Sequence, residues 1–221
     1  YMSRKQLEKS IERTKKLMQE AAKKLDFIEA AQYRDEVLKM EELLKDRRGN
    51  LTLTNINGLC RIALDKLKKT YEQDIQEKNI RIVFDNLTLS LMMEVNVEQF
   101  SKVLAGILKN SMYALLKKSE TVTFSPEIFL GLKVNKDMLE ITIRDNGSGI
   151  DENIKDKIFA PFFTTKTTGE AAGVGLYLCR EIVQNHRGTI EVESKKGEYT
   201  QFLITIPVYQ PKTITPPKEE E

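Results

Sequence analysis

The stretch Arg144-Asp145-Asn146-Gly147-Ser148-Gly149-Ile150 decides the fold, because it directly follows an alternating apolar run, residues 139–143. Such alternation predicts a β-strand, and the strand delivers Asp145 to one end of a sheet. The glycines allow a sharp turn and a close backbone approach to a flat ligand. A carboxylate at this turn can accept a hydrogen bond from an exocyclic amine such as that of adenine. An ordinary surface turn has the same letters and remains open at this point.

A helix upstream of this strand carries one polar residue on a face of apolar and small residues. The apolar positions recur from Val97 to Leu115, and Asn110 interrupts them. An asparagine oxygen that faces a cleft can help to hold a hard cation such as Mg²⁺. A helix asparagine that is satisfied by its own neighbours is the alternative.

Two further segments lie in and beside a glycine-rich stretch, residues 145–175. Gly173-Val174-Gly175-Leu176 opens a helix that runs to about His186, and the N–H groups at a helix start attract phosphate. Residues 158–166 read IFAPFFTTK, in which aromatic side chains can anchor a mobile lid and Lys166 can reach a terminal phosphate. In isolation, a flexible loop with a small hydrophobic staple and a solvated lysine also explains these segments.

The pattern after Gly49 predicts a sheet with one buried face, which helices cover. An amphipathic helix begins near Ile56 and ends before Asn79, and residues 135–137 suit a hairpin turn. The expected strands cover residues 80–84, 128–134, 139–143, 190–192 and 202–206. The predicted fold class is α+β, in which a mixed sheet and its helices form a two-layer α/β sandwich.

The helix asparagine, the DNGSG turn, the FAPFFTTK segment, GVGL and residues 197–202 follow one another in a single order. This combination resembles the GHKL ATPase superfamily, and specifically the catalytic domain of histidine kinases, over roughly residues 51–208. The N-box resembles residues 103–116, and the two glycine boxes resemble 145–149 and 173–175. The resemblance implies the Bergerat ATP-binding fold, with ATP and Mg²⁺ as cofactors.

The same resemblance implies roles for particular residues. Asn110 would coordinate Mg²⁺, Asp145 would bind the adenine amine, and Thr200 would support the adenine side. The implied nucleotide-contacting residues are Asn110, Tyr113, Asp145, Gly147, Gly149, Ile150, Lys166, Gly173, Val174, Gly175, Leu176 and Thr200, of which Gly173 and Gly175 meet the phosphates, Gly147 and Gly149 shape the base pocket, and Asn110 and Lys166 are catalytic.

Other branches of the superfamily fit less well. Gyrase and MutL place a glutamate base one helical turn before the N-box asparagine, and here that position is Gly106. Tyr113 stands where many kinases carry a basic residue that touches phosphate. The only histidine, His186, falls at a helix end, so we expect it to be structural. The phosphate acceptor is therefore expected in trans, as an acceptor-histidine domain or a response regulator.

Residues 3–46 contain neither glycine nor proline and predict helix. Asp26 and Glu29 have the spacing of a capping box that starts a new helix at Phe27, which favours a two-helix hairpin over one long helix. Such a hairpin has little core of its own and needs a partner surface, for example a second copy. The apolar or small stripe comprises Leu7, Ile11, Thr14, Met18, Ala21, Leu25 and Ile28, then Ala30, Tyr33, Val37, Met40 and Leu44.

The same segment, from about residue 10 to 47, resembles the UVR motif of the excision-repair proteins UvrB and UvrC. The resemblance rests on Ala21-Ala22, Leu25-Asp26-Phe27, Ala30-Ala31 and Arg34-Asp35, and it implies a helical hairpin that pairs with another copy. A generic charged hairpin is the alternative. UVR motifs do not usually precede kinase domains, so we expect an engineered fusion joined at residues 48–50. A natural two-domain protein stays open.

Composition limits the remaining possibilities. The net charge of +2 is too weak to indicate nucleic-acid binding, and no apolar run approaches the ~20 residues of a membrane span. Cys60 and Cys179 are expected to be reduced thiols of a cytoplasmic protein. The expected units are a hairpin at 1–49, an ATP-binding domain at 50–209 and a disordered tail at 210–221. An interaction module with an idle nucleotide fold is the competing function.

Overall fold

The structure is a computed structural model that describes residues 4–24, 26–45, 51–161, 163 and 175–208. The helices and strands, in chain order, are α1 Arg4–Lys23, α2 Phe27–Lys45, β1 Thr52–Asn55, α3 Ile56–Thr70, α4 Glu72–Glu77, β2 Arg81–Asp85, β3 Met92–Val95, α5 Val97–Ser119, β4 Glu127–Asn135, β5 Met138–Asp145, α6 Glu152–Lys155, α7 Gly175–Asn185, β6 Thr189–Lys195 and β7 Tyr199–Pro207.

The N-terminal segment is the predicted two-helix hairpin. The Asp26 carboxylate accepts a hydrogen bond of 3.0 Å from the backbone N–H of Glu29, which caps α2 at its first turn. Only half of the capping box forms, because the Asp26 N–H donates to the Ala21 carbonyl at 3.0 Å and the Glu29 carboxylate accepts from the Tyr33 hydroxyl at 3.1 Å. Val37 and Met40 of α2 are buried and belong to the same apolar cluster as the core of the following domain.

A five-stranded sheet in the order β2-β4-β5-β7-β6 forms the second layer. The pair β2–β4 is parallel and the other pairs are antiparallel, so the sheet is mixed as predicted. The register of β5 and β7 places Asp145 opposite Thr200. Strand β5 is central, which fixes the position of Asp145 from both sides.

Helices cover one face of this sheet. Leu139, Ile141 and Ile143 of β5 are fully buried, while the residues between them are only partly covered. Helix α5 packs over β5 and lies against α3 and α7. The predicted α+β class and the two-layer arrangement are therefore confirmed.

The helix expected from Ile56 to before Asn79 is two helices, α3 and α4, which are separated by Tyr71. Sequence patterning also missed three other short elements. Strands β1 and β3 pair with each other as a separate antiparallel ribbon, and α6 has only four residues. Four residues are too few to show a helical or alternating pattern above chance. The expected tail at 210–221 and the expected join at 48–50 lie outside the described residues. Within the described ranges, no helix has both the length and the apolar character needed to cross a membrane.

Candidate functional site

The candidate site is centred on Asp145, the last residue of β5. Its side chain is buried, and one carboxylate oxygen accepts a hydrogen bond of 3.0 Å from the Gly147 N–H. Burial raises the pKa of Asp145 from 3.8 to about 6, although Ser111, the Gly147 N–H and the Lys118 ammonium each oppose this rise. A carboxylate with so little solvation is prepared to accept a donor from a ligand.

The hydroxyl of Ser111 on α5 is close to Asp145 but has no hydrogen-bond partner among the described residues. It lies beside the Asp145 carboxylate and favours the charged form, yet its geometry falls short of a hydrogen bond. The Ser111 oxygen is thus buried without a partner among the described residues. Buried hydroxyls are normally hydrogen-bonded, so this one indicates a place where a ligand or an ordered water completes the network. Sequence reasoning missed Ser111, although it adjoins Asn110.

The two glycines of the DNGSG turn are required by packing around this site. A Cβ on Gly147 would lie 2.7 Å from the backbone of Ala114 and 2.8 Å from the Asp145 carboxylate. Gly149 has a φ of 65°, and its Cβ would lie 2.2 Å from the carbonyl oxygen of Lys195. The sequence suggested close approach to a ligand; the structure shows close approach to α5 and to the end of β6.

The turn itself is pinned by Asn146. Its side-chain oxygen accepts from the Glu127 N–H at 2.8 Å, and its amide nitrogen donates to the Ser125 carbonyl at 2.8 Å. The Asn146 carbonyl accepts from the Lys118 ammonium at 2.8 Å. These bonds tie the turn to the start of β4 and to the end of α5, so the site has a fixed floor.

Ser194 links the far side of the turn to the sheet. Its hydroxyl accepts from the Ile150 N–H at 2.8 Å and donates to the Tyr199 carbonyl at 2.6 Å. It also lies 3.2 Å from the hydroxyl of Thr200, which pairs with Asp145 across the strands. The structure therefore brings Asp145, Ile150 and Thr200 together, as the site prediction requires.

Helix α5 carries the other predicted side chains. Asn110 and Tyr113 are half-buried, and the spacing of α5 places them on the same face as Gly106. The Lys117 ammonium lies 5.8 Å from the centre of the Tyr113 ring. A Cβ on Gly106 would lie 3.2 Å from the sulfur of Cys179, its one close neighbour among the described residues. The absence of a side chain at Gly106 therefore allows α5 to pack closely against α7.

The predicted phosphate segment is described only in part. Gly175 is the first residue of α7 and is exposed, and Leu176 packs partly buried against the core. Lys166, Gly173 and Val174 lie outside the described residues, so their roles remain predictions.

The phenylalanine segment anchors the region before α7. Ile158 and Phe159 are buried, and the Phe159 ring meets Phe202 edge-on with ring centres 6.3 Å apart. The Arg180 guanidinium lies 5.6 Å from the centre of the Phe159 ring. The aromatic side chains therefore attach this segment to β7 and α7, as expected of an anchor.

His186 is held by the fold. Its Nε2 accepts a hydrogen bond of 3.0 Å from the Asn96 N–H, and its Nδ1 lies 2.8 Å from the Ile182 carbonyl. A neutral ring with its proton on Nδ1 satisfies both contacts. The ring also packs edge-on against Phe100, with centres 5.6 Å apart. This arrangement supports a structural role.

Comparisons with known proteins agree with the predicted families. The family described as histidine kinase-, DNA gyrase B- and HSP90-like ATPase matches residues 96–210, and the UvrB/UvrC motif matches residues 8–43. The sensor histidine kinase ZraS of Salmonella typhi is 28% identical over 172 residues, which cover 78% of this chain and 34% of ZraS. UvrABC system protein B of Bacteroides fragilis is 79% identical over 47 residues, 21% of this chain and 7% of that protein. The chain thus spans about a third or less of the length of these relatives.

A solved structure supports the same assignment. The catalytic domain of histidine kinase ThkA is 28% identical, with a TM-score of 0.59, and the match covers 72% of this chain and 95% of that domain. This protein belongs to the histidine kinase-, DNA gyrase B- and HSP90-like ATPase family. Its larger part is an ATP-binding catalytic domain of the sensor histidine kinase type, preceded by a UVR motif. A UVR interaction module with an inactive nucleotide fold is not favoured.

Proposed function

We propose that residues 50–209 bind ATP with Mg²⁺ and transfer the γ-phosphate to a histidine on another domain or chain. The observation that carries this proposal is the buried pair of Asp145 and Ser111 at the end of the central strand. The poorly solvated Asp145 carboxylate can accept a hydrogen bond from a donor on the edge of a ligand. The unpaired Ser111 hydroxyl beside it can pair with a further donor or acceptor on the same edge. The amine edge of adenine has this chemistry.

Residues on α5, on α7 and in the segment before α7 would bind the metal ion and the phosphates. Asn110 would hold Mg²⁺, which when bound neutralises phosphate charge. Gly175 would offer its N–H at the start of α7 to the phosphates, and Lys166 would reach the terminal one. Tyr113 would stack on the nucleotide or donate a hydrogen bond to it, and it would add no charge. Phosphoryl transfer depends mainly on such positioning and charge neutralisation.

The acceptor must come from elsewhere under this proposal. His186 is the only histidine, and both of its ring nitrogens face backbone groups of the domain core. An acceptor-histidine domain, followed by a response regulator, is therefore the proposed route for the phosphate. A cytoplasmic location accompanies this proposal.

Calorimetry with ATP·Mg²⁺ tests the binding step. Asp145→Asn should weaken binding by at least ~10-fold, because a hydrogen bond to a charged group contributes about 1.5–3 kcal/mol. Asp156→Asn is the control: it makes the same substitution at an exposed carboxylate further along the chain and should leave binding unchanged. Equal affinity in Asp145→Asn and wild type would exclude the proposed base site.

A transfer assay tests the second step. The protein is mixed with labelled ATP and a purified acceptor-histidine domain of a sensor kinase. We expect acid-labile label on the acceptor that depends on Asn110 and is unaffected in His186→Gln. Label on this chain in place of the acceptor, lost in His186→Gln, would contradict transfer in trans.

A second proposal concerns the hairpin, residues 1–49. Among the side chains of α2 that the structure describes, three large apolar ones are exposed: Phe27 at 67%, Ile28 at 71% and Leu38 at 56%. Apolar groups on so small a unit favour a partner surface, and we propose a second copy of the hairpin. Sedimentation at increasing concentration should show a dimer that Leu38→Glu weakens. A monomer throughout the concentration range would remove this proposal.

A further inference from the structure

A cavity of about 290 Å³ lies where helix α2 meets α5 and α7. Its volume suits several water molecules or a small ligand. Most of its wall is aliphatic, and one carboxylate, that of Glu36, enters it from α2. The lining residues are Glu36, Lys39, Gln99, Lys102, Ala105, Gly106, Lys109, Gly175, Leu178, Cys179 and Ile182.

Glu36 is poorly accommodated there as an anion. The residue is 8% exposed, and its Oε2 atom has no hydrogen-bond partner among the described residues. An ionised carboxylate with one oxygen buried and unpaired carries a larger desolvation cost than the neutral acid does. The docked position of α2 therefore favours neutral Glu36.

The charged groups around the cavity do not remove this cost. On α2, Lys39 favours the charged form of Glu36, while Asp35 opposes it. On α5, Lys102 and Lys109 line the cavity, and the Lys102 ammonium is already engaged with Glu98 at 3.0 Å. The titratable residue that α7 adds to the lining is Cys179, and burial raises the pKa of its thiol to about 12. None of the described side chains of α1 belongs to the lining.

The cavity borders the phosphate side of the candidate nucleotide site. Gly106 and Lys109 stand four and one residues before Asn110 on α5, and Gly175 begins α7. Helix α2 thus lies over the same helical surfaces that the proposed function assigns to Mg²⁺ and phosphate. Removing α2 would take Glu36 and Lys39 out of the cavity wall.

We infer that helix α2 is a proton-operated cover over the groove between α5 and α7, docked when Glu36 is neutral and released when Glu36 is charged. The inference rests on the proposed function only for the statement that the covered groove adjoins the phosphates. The docking step itself is independent of nucleotide.

The direction and size of the effect follow from linkage. Burial raises the pKa of Glu36 from 4.5 to about 7 in the docked state. The docked state therefore binds more protons, and docking is strongest below pH 4.5 and weakens as pH rises through 7. The docking equilibrium should fall about 300-fold over that whole range, of which about 30-fold lies between pH 5.5 and 8.

The protein contains its own probe and its own control for this change. Cys179 lies in the wall of the cavity and is buried, so release of α2 removes the cover from the side of the thiol that faces the cavity. Cys60 is buried on α3 and does not line the cavity, so it is exposed only when the domain opens. The labelling rate of each thiol by a methanethiosulfonate, divided by its rate in urea-unfolded protein at the same pH, gives its protection factor.

We expect protection of Cys179, but not of Cys60, to fall about 30-fold between pH 5.5 and 8. Glu36→Gln should make Cys179 protection nearly independent of pH, and Glu12→Gln, an exposed carboxylate on α1, should behave as wild type. If Glu36→Gln folds poorly by circular dichroism, Glu36→Met serves in its place. A pH-independent wild type, an equal fall in Glu36→Gln, or a parallel fall at Cys60 would overturn the inference. If the wild type did not bind ATP, only the proposed function would be overturned, and the inference about α2 would stand.

Discussion

Replacing Asp145 by asparagine should make the unliganded protein more stable at neutral pH. In the wild type, burial holds the pKa of Asp145 at about 6 instead of 3.8. The folded state therefore binds the extra proton, and its stability is highest below pH 3.8 and declines as pH rises to 6. With about 1.4 kcal/mol for each tenfold change, this decline amounts to about 3 kcal/mol.

Asparagine removes the charge and keeps the local bonds. Its side-chain oxygen can accept from the Gly147 N–H as the carboxylate does at 3.0 Å, and its amide nitrogen can donate to the orphan Ser111 hydroxyl. We expect the free energy of unfolding of Asp145→Asn to exceed that of the wild type by about 1–3 kcal/mol at pH 7.5. The gain should shrink towards zero near pH 4.

Urea unfolding followed by circular dichroism at pH 4 and 7.5 measures this difference, provided that the slope with denaturant is unchanged. Asp156→Asn, which removes an exposed carboxylate, is the matched control and should change stability by less than about 0.5 kcal/mol. A destabilised Asp145→Asn at pH 7.5, or a gain that does not depend on pH, would refute the reasoning. Greater stability together with weaker ATP binding would show a site that sacrifices stability for function.

Three further substitutions test other parts of the structure by the same unfolding assay. Gly149→Ala should destabilise the protein by at least ~3 kcal/mol, because its Cβ would lie 2.2 Å from the Lys195 carbonyl oxygen. Gly197→Ala is the control: this glycine has a φ of 80° but open space around it, so the substitution should cost only about 1–2 kcal/mol. Equal costs for the two substitutions would contradict the packing argument. Asn146→Ala should cost about 1–3 kcal/mol, because it leaves the Glu127 N–H and the Ser125 carbonyl without their bonds, and a neutral result would show that water replaces them. His186→Gln should lose about 1–2 kcal/mol through the Asn96 contact and leave nucleotide affinity unchanged by calorimetry; a lost affinity would place His186 in the site.

The sequence predicted the elements whose periodicity is long. Helix α5 and strands β4 and β5 have long runs of regularly spaced apolar residues, and each appears where expected. The Asp26 cap was predictable because one side-chain bond decides whether the chain breaks into two helices there. Strands β1 and β3 were missed because they are four-residue segments whose pairing partners lie about 40 residues apart.

The sequence allowed several residues of the candidate site to be predicted, but not most of the contacts between them. Asp145 and Thr200 are indeed brought together, since register follows from the alternating pattern on β5 and β7. Nothing in one-dimensional spacing shows that Gly149 touches the end of β6, or that Ser194 bridges to Ile150. These contacts join residues that are 44 or more positions apart, and only the closed sheet creates them.

Strand β5, with partners along both edges, has a consequence for ligand discrimination. Amide exchange within it requires the adjoining strands to separate, so the carboxylate at its end stays in place on the timescale of binding. Under the proposed function, a ligand would find that end of the site already formed and would lose little affinity to ordering it. Such rigidity also means that a purine with a carbonyl in place of the amine meets an acceptor that cannot turn away. We therefore expect guanine nucleotides to be rejected by electrostatic repulsion at this end of the site, not by lack of space.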